Sequence, residues 1–349
     1  VGPVVDICDL LPEYGCHLAS PAFPIDWVQG SDCPYIVKTV ILDIYYRFYL
    51  YRDTMRYSLR QLEVFLATAR HENVSRAARD LSMSQSAASG SLKQLEQQFA
   101  VKLFDRVGKR LRLSELGTQL RPAAENLLAK ARAFEQSLAG QEVYGRLEVG
   151  ATLTIGNYLA VGMIAEFRQR FPGTDIALSV ANMASVAEQV ASFELDMGLI
   201  EGELNHPDLH TLHWRGDQLV VFAAPDHPLA GYGRLDDRAL CTLPWIVREK
   251  GSGTRQTFER AMQGILPDLV IAMELQHTEA IKRAVEAGLG VGCLSRICLE
   301  DAFRRGTLVP LEVPDRDFRR DLYLVTHQDK YHSAALRQWM ALCMESGGK

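Results

Sequence analysis

Ser84, Gln85, Ser86, Ser89 and Lys93 fall within ten residues at spacings that set them along one side of a helix, and each ends in a polar or cationic group. Such tips can hydrogen-bond base edges and phosphate oxygens in the major groove of a duplex. Across the same stretch Ala88, Leu92, Leu95 and Phe99 recur at steps of four, three and four, the stripe of a helix packed on a core. A polar helix face can also simply be solvated. The adjoining segment is basic: Lys102 to Leu113, KLFDRVGKRLRL, reads as a short hairpin with Gly108 at its tip, from which Arg106, Lys109 and Arg110 can reach phosphate or the minor groove. Residues 55 to 113 hold eleven Lys and Arg against five Asp and Glu, a net +6, whereas the whole chain is at −5, so the remainder sums to −11. A basic module on an acidic protein is the electrostatic footprint of a nucleic-acid binder, although single-sign patches on enzymes can steer anionic substrates too.

A second set of polar residues lies in three loops. ATLTIGN supplies Thr152 and Thr154, Asn182 follows another apolar run, and GSGTR supplies Ser252, Thr254 and Arg255. Glycines let backbone N–H groups approach an anion, and hydroxyls complete its shell. GSGTR lacks the GK[ST] end of a nucleotide-phosphate loop, and Ser, Thr and Gly are also ordinary helix-start residues. Other constellations carry less. His206, His210 and His213 lie beside Pro207 with no nearby Cys, which suits a loop better than a metal site. Cys293 and Cys298 could form a redox pair, but no thiolate-activating neighbour is visible. There is no GxSxG or HExxH, and Gly288-Leu289-Gly290-Val291-Gly292 leads into a strand where a dinucleotide fingerprint would come after one. No enzyme, metal or cofactor is expected.

The elements that must hold these residues can be read from periodicity. Leu59, Leu62, Phe65, Leu66 and Ala69 form one helical stripe; a second helix, capped by Ser75, runs to Leu81; Ser84 caps the third. From Ser114 to Ala139 a long helix carries Leu116, Leu120, Ala124, Leu127, Ala131, Phe134 and Leu138 at steps of four and three, a coiled-coil seam that implies a second copy, with Pro122 interrupting its ladder. After a linker at Gly140 to Gly145, short apolar runs (Leu147 to Val149, Ile176 to Val180, Met197 to Ile200, Leu219 to Ala223, Trp245 to Val247, Val291 to Leu294, Leu322 to Thr326) alternate with helical stretches. That alternation implies α/β domains with largely parallel sheets, divided between two lobes.

The run from Leu59 to Leu113, with its LRQLEVF start, RAA..L second helix, SQSA.S..L..LE third helix and LFDR hairpin, resembles the N-terminal domain of LysR-type transcriptional regulators. The likeness continues to about Cys343, and the loops quoted above resemble the anion-sensing, CysB- and YeiE-like side of that family. One departure is Gly90 within the recognition helix, where it costs about 1 kcal/mol of helix propensity relative to Ala.

The resemblance implies an α/β protein with an N-terminal winged helix-turn-helix, a long linker helix and a C-terminal effector domain of two periplasmic-binding-protein-like lobes. Domains are expected at 55–113, 114–143 and 144–349, the first lobe at about 144–215 and 320–349 and the second at about 216–319. It also implies a sequence-specific regulator of double-stranded DNA, a homodimer or homotetramer, governed by a small anion such as sulfite, sulfate or a carboxylate. A soluble solute-binding or catalytic α/β protein with a helical interaction module is the alternative.

With 349 residues, 47% hydrophobic and 23% charged, the chain can bury ample core. Its seven Cys, an odd number without CxxC pairs, argue against a disulfide framework. No apolar run reaches the ~20 residues that span a bilayer, so a cytoplasmic location without membrane contact is expected. Residues 1–54 fit nothing downstream, and the expectation is that Val1 to Thr54 is an upstream extension of the reading frame, with Met55 the native start; a true N-terminal arm is the competing reading.

Overall fold

The computed structural model describes residues 55–108, 110–138, 145–231 and 233–347. The proposed extension up to Thr54 and the wing residue Lys109 lie outside them.

The head is three helices and a hairpin: α1 (Leu59–His71), α2 (Val74–Asp80), α3 (Gln85–Phe99), β1 (Phe104–Val107) and β2 (Arg110–Leu113). Its core forms where the apolar stripes meet, with Phe65, Leu66, Ala88, Leu92 and Leu95 buried and Phe65 edge-on to Phe104 at 5.7 Å between centroids. Phe99, expected in this core, is 42% exposed at the end of α3. The cap of α2 lies two residues before the Ser75 expected from sequence. Asn73 takes that role, its Oδ1 accepting from the Arg76 N–H at 3.0 Å, because the residue just outside the helix, not one already inside it, has the extended backbone that lets a side chain fold onto the first turn. Ser84 does cap α3, accepting from the Ala87 N–H at 3.1 Å. The β1–β2 hairpin is antiparallel, from Phe104↔Leu113 to Val107↔Arg110, and the Leu111 N–H donates to the Glu72 carbonyl at 3.0 Å, tying the wing to the turn between α1 and α2.

Ser114 caps α4 (Glu115–Leu138), where its Oγ accepts from the Gly117 N–H at 3.0 Å. Helix α4 presents two faces. Ala124 and Leu128 are buried, whereas Leu120, Leu127, Phe134 and Leu138 are 43 to 71% exposed. The seam read from sequence therefore divides: Ala124 turns inward and is joined there by Leu128, while Leu120, Leu127 and Phe134 keep a strict seven-residue repeat on the outside.

The C-terminal domain is built on one nine-stranded sheet, order β4-β3-β5-β11-β6-β9-β7-β8, with β10 (Val309–Leu311) also paired to β6. Lobe I carries β3 (Gly145–Thr152), a helical turn Leu153–Ile155, a π-turn Gly156–Ala160, α5 (Val161–Arg170), β4 (Thr174–Ala181), α6 (Met183–Ala191), β5 (Met197–Glu201) and the C-terminal α11 (Ala334–Gly347). Lobe II carries α7 (Asp237–Thr242), β7 (Pro244–Arg248), α8 (Gly253–Ala261), β8 (Val270–Leu275), α9 (Thr278–Glu286), β9 (Val291–Ser295) and α10 (Arg296–Arg305). Within each lobe the strands run parallel, β3 beside β4 and β5, and β7 beside β8 and β9. Between the lobes they do not. The long β6 (Leu209–Ala223) and the returning β11 (Arg319–His327) lie antiparallel from Leu209↔His327 to Gln218↔Arg319, and pair antiparallel outwards to β9 and β5. This middle ribbon corrects the largely parallel sheet expected from sequence, and its cause is topological: a chain that leaves lobe I and comes back must cross twice in opposite directions. Core residues separate accordingly, one main cluster holding Leu147, Phe167, Leu322 and Trp339, others Val221, Trp245 and Phe258, or Ile281 and Leu299.

The exposed heptad stripe on α4 leaves apolar surface that a second α4 would cover. Replacing both Leu120 and Leu127 by Glu should lower the oligomeric state measured by light scattering, because unpaired charge in an apolar seam is costly; an unchanged mass in the double variant would remove α4 as the interface.

Candidate functional site

On the head, Ser84, Gln85, Ser86, Ser89 and Lys93 are all exposed along α3, as are Arg106 and Arg110 on the wing. Ser84 is partly committed, since its oxygen caps the helix and lies 3.0 Å from the Ser86 Oγ. Gly90 sits on this same face, and a Cβ built there would meet nothing within 4 Å. The glycine serves no internal packing; it leaves the outer face of α3 flat. Arg110 reaches towards Glu72 at 3.8 Å but is 73% exposed, leaving its guanidinium accessible to phosphate.

The second site is the crevice between the lobes, at the carboxyl ends of the parallel strands. Helices α8, α9 and α10 of lobe II start at this edge, as do the Leu153–Ile155 turn and α6 of lobe I, so several helix N-termini gather here with their N–H groups outward. Thr152, Thr154, Ser252 and Thr254 are all buried, between 2 and 3% exposed. The structure brings Thr154 and Thr254 together across the lobes on one group, the Glu201 carboxylate at the end of β5. Its Oε1 accepts from the Thr154 N–H at 2.9 Å and its Oε2 from the Thr254 hydroxyl at 3.1 Å. Arg320, at the start of β11, completes the cluster with 2.9 Å to Glu201 and 2.7 Å to Asp217, while the Ser295 hydroxyl donates to Asp217 at 2.8 Å. All three charged side chains are at most 2% exposed.

Glu201 and Arg320 hold each other ionised. Burial alone would raise the Glu201 pKa, but Arg320, the Thr154 hydrogen bond and Arg248 reverse this and leave it below the ordinary carboxylate value. For Arg320 burial works against the charge, and Glu201 and Asp217 outweigh it.

Other expected ligands are placed differently. Asn182 lies at the crevice edge, but its Oδ1 caps α6, accepting from the Ser185 N–H at 3.0 Å. Thr152 turns its hydroxyl to the Leu199 carbonyl at 3.4 Å. Ser252 precedes α8 without making a side-chain cap. Arg255, read as the cation of the GSGTR loop, instead folds along its own lobe: Nε lies 2.6 Å from Glu259, and NH1 is 2.9 Å from the Arg248 carbonyl and 3.2 Å from Glu274. A carboxylate one turn along the same helix is its natural partner. The groups that sequence reasoning missed, Glu201, Asp217 and Arg320, come from strands far apart in the chain.

Comparison with known proteins places both sites in one context. Residues 59–118 match the bacterial regulatory helix-turn-helix of the lysR family, and residues 140–348 match the LysR substrate binding domain. The chain belongs to the LysR family. Among relatives, the HTH-type transcriptional regulator YeiE of Escherichia coli (strain K12) is 43% identical over 289 residues, covering 83% of this chain and 98% of that one. A full-length OxyR variant from Pseudomonas aeruginosa aligns with a TM-score of 0.65 at 20% identity, over 84% of this chain and 95% of its own. The Synechocystis PCC6803 CcmR regulatory domain, solved in complex with 2-PG, aligns with a TM-score of 0.55 at 29% identity, over 58% of this chain and 97% of its own. The protein is thus a LysR-type DNA-binding transcriptional regulator with an effector-binding domain, and the crevice lies within that domain. Among the described residues no helix is long and apolar enough to cross a membrane.

The buried cluster yields a stability prediction. Arg320→Met strands two buried carboxylates and should cost about 3 to 5 kcal/mol. Because the folded pKa of Glu201 is depressed, its contribution is present above the ordinary carboxylate range and fades as pH falls through the folded value. Urea midpoints recorded from pH 7 down to pH 2 should show this acid-side loss in the parent and a flatter profile in Arg320→Met; parallel profiles would remove the cluster as the cause.

Proposed function

We propose that this regulator reads its operator through α3 and the wing, and that a small anion seated between the lobes controls it. For the DNA half, the support is the exposed, basic, flat outer face of the head. Gln85, Ser86 and Ser89 reach base edges, Ser84 and Lys93 contact the flanking backbone, and Arg106, Lys109 and Arg110 lie on phosphate or in the minor groove.

For the effector half, one observation carries the reading: the crevice already coordinates a carboxylate. Donors from both lobes converge on Glu201, so an oxyanion or small carboxylate that competes for the Thr154 N–H and the Thr254 hydroxyl meets groups already set for its geometry. Thr152, Asn182 and Ser252 border that seat; Arg255 fixes the start of α8 rather than the ligand. Sulfate, sulfite and small carboxylates fit the chemistry, and the relative CcmR regulatory domain was solved with 2-PG. An anion held by both lobes favours their closed arrangement in proportion to its differential affinity, and closure reaches the heads through α4 and the oligomer. No covalent step is required.

On DNA, Arg110→Ala should weaken all sequences alike and flatten the salt dependence by about one unit, whereas Gln85→Ala or Ser86→Ala should cost ~1 to 3 kcal/mol mainly at the preferred site. Fluorescence anisotropy on a selected duplex and a scrambled one separates these, and equal losses on both for every variant would refute the assignment.

For the anion, Thr254→Val keeps shape but removes a hydroxyl that donates at the seat and should weaken binding by roughly 1 to 3 kcal/mol, and Thr152→Val, whose hydroxyl is turned to the Leu199 carbonyl, should weaken it less. Calorimetric titration with sulfite, sulfate and acetate is the check; parent-like affinity in both variants would place the effector elsewhere.

A further inference from the structure

Beside the Glu201 seat lies a second group that spans the lobes. Lys282, on α9 of lobe II, is 7% exposed. Its ammonium has three donors, and they go to the Tyr158 hydroxyl at 3.2 Å, the Cys298 carbonyl at 3.1 Å and the Glu279 carboxylate at 2.6 Å. Tyr158 belongs to the π-turn of lobe I, one turn beyond Thr154, and its ring also faces the ammonium with Nζ 5.6 Å from the centroid. Its hydroxyl in turn bonds Glu279.

The cations around the crevice differ in how they are neutralised. Arg320 has two carboxylates at 2% exposure, and Arg248 has Glu249 at 11%. Arg255 has two acids and a carbonyl. Lys282 is buried much like the first two, yet the carboxylate paired with it, Glu279, is 58% exposed and sits on its own helix. A buried ammonium needs a negative partner, and this one is held by a side chain that can rotate into water at small cost. One turn before Lys282 on the same face stands Thr278, 1% exposed, whose hydroxyl oxygen has no hydrogen-bond partner among the described residues.

We propose that Lys282 is the counter-ion of the anionic effector, which displaces the Glu279 carboxylate and finds Tyr158 and Thr278 as neighbouring hydroxyl contacts. This deepens the reading of the crevice as an anion site and rests on it. It supplies what the threonine seat lacks, a cation not already held by a buried acid, and it draws on both lobes. With Glu279 turned to solvent, Lys282 has no acid of its own, since Glu201 and Asp217 are held by Arg320 and Glu249 by Arg248, and the entering anion takes the place beside it that Glu279 gave up.

The test is calorimetric titration of the full chain and its variants with sodium sulfate and sodium sulfite. Lys282→Met should weaken binding at least tenfold and Thr278→Val a few-fold. Glu279→Gln, which removes the competitor, should strengthen it several-fold, whereas a purely structural role for the pair would weaken it. Parent-like affinity in Lys282→Met alongside lost affinity in Thr254→Val overturns the Lys282 assignment and leaves the threonine seat standing. Parent-like affinity in both, or no binding of either ion by the parent chain, overturns both. Should circular dichroism show Lys282→Met to be unfolded, Glu279→Gln decides, and unchanged or weaker binding there overturns the proposal.

Discussion

Arg320 is a charge with no access to water, and the effector domain is arranged around satisfying it. A guanidinium carries five N–H donors in a fixed plane, so its partners must come from several directions at once. They come from β5 through Glu201, from β6 through Asp217, and from the helix starts through Thr154 and Thr254. Each lies in a different part of the chain. The arginine therefore pins the crossing ribbon, the end of lobe I's last parallel strand and the first turn of α8 to one point, and Glu201, which it holds ionised, is the acid that organises the crevice donors. Buried ion clusters are weak sources of net stability but demanding of geometry, and here that geometry fixes the crevice between the lobes. Close contact reinforces it: a Cβ on Gly253 of α8 would stand 1.8 Å from the Glu201 carbonyl, so backbone meets backbone across the crevice.

Much of this was legible in the chain. Apolar runs marked strands, the four-three stripe marked α3, and the turn at Gly108 marked the wing, because each depends on residues close in sequence. The crevice donors were legible as loop types, since Gly, Ser and Thr before a helix are local signals too. Arg320 was not, because its partners are 119 and 103 residues away. Even so, parity held a clue: along β11 Arg320 falls in phase with Leu322 and Leu324, the inward positions of the strand. Glu201 likewise closes the fully buried run of β5. A charge on the buried phase of a strand is a request for a partner. Arg255 misled for the converse reason: it stood in an attractive loop, while Glu259 four residues on already offered it a place.

The return of β11 and α11 to lobe I also orders events during synthesis. Lobe II is contiguous, with core residues running from Leu219 to Phe318. Lobe I is not. Leu147 and Phe167 share their core with Leu322, Leu324 and Trp339, which follow all of lobe II in the chain. Contacts that distant in sequence form late, because loop-closure entropy must be met first. The first lobe to be translated is thus the last to be completed, and until the final strand arrives it exposes the edge of β5 and an open apolar face. Loss of about the last 30 residues would therefore leave lobe II able to fold and lobe I aggregation-prone.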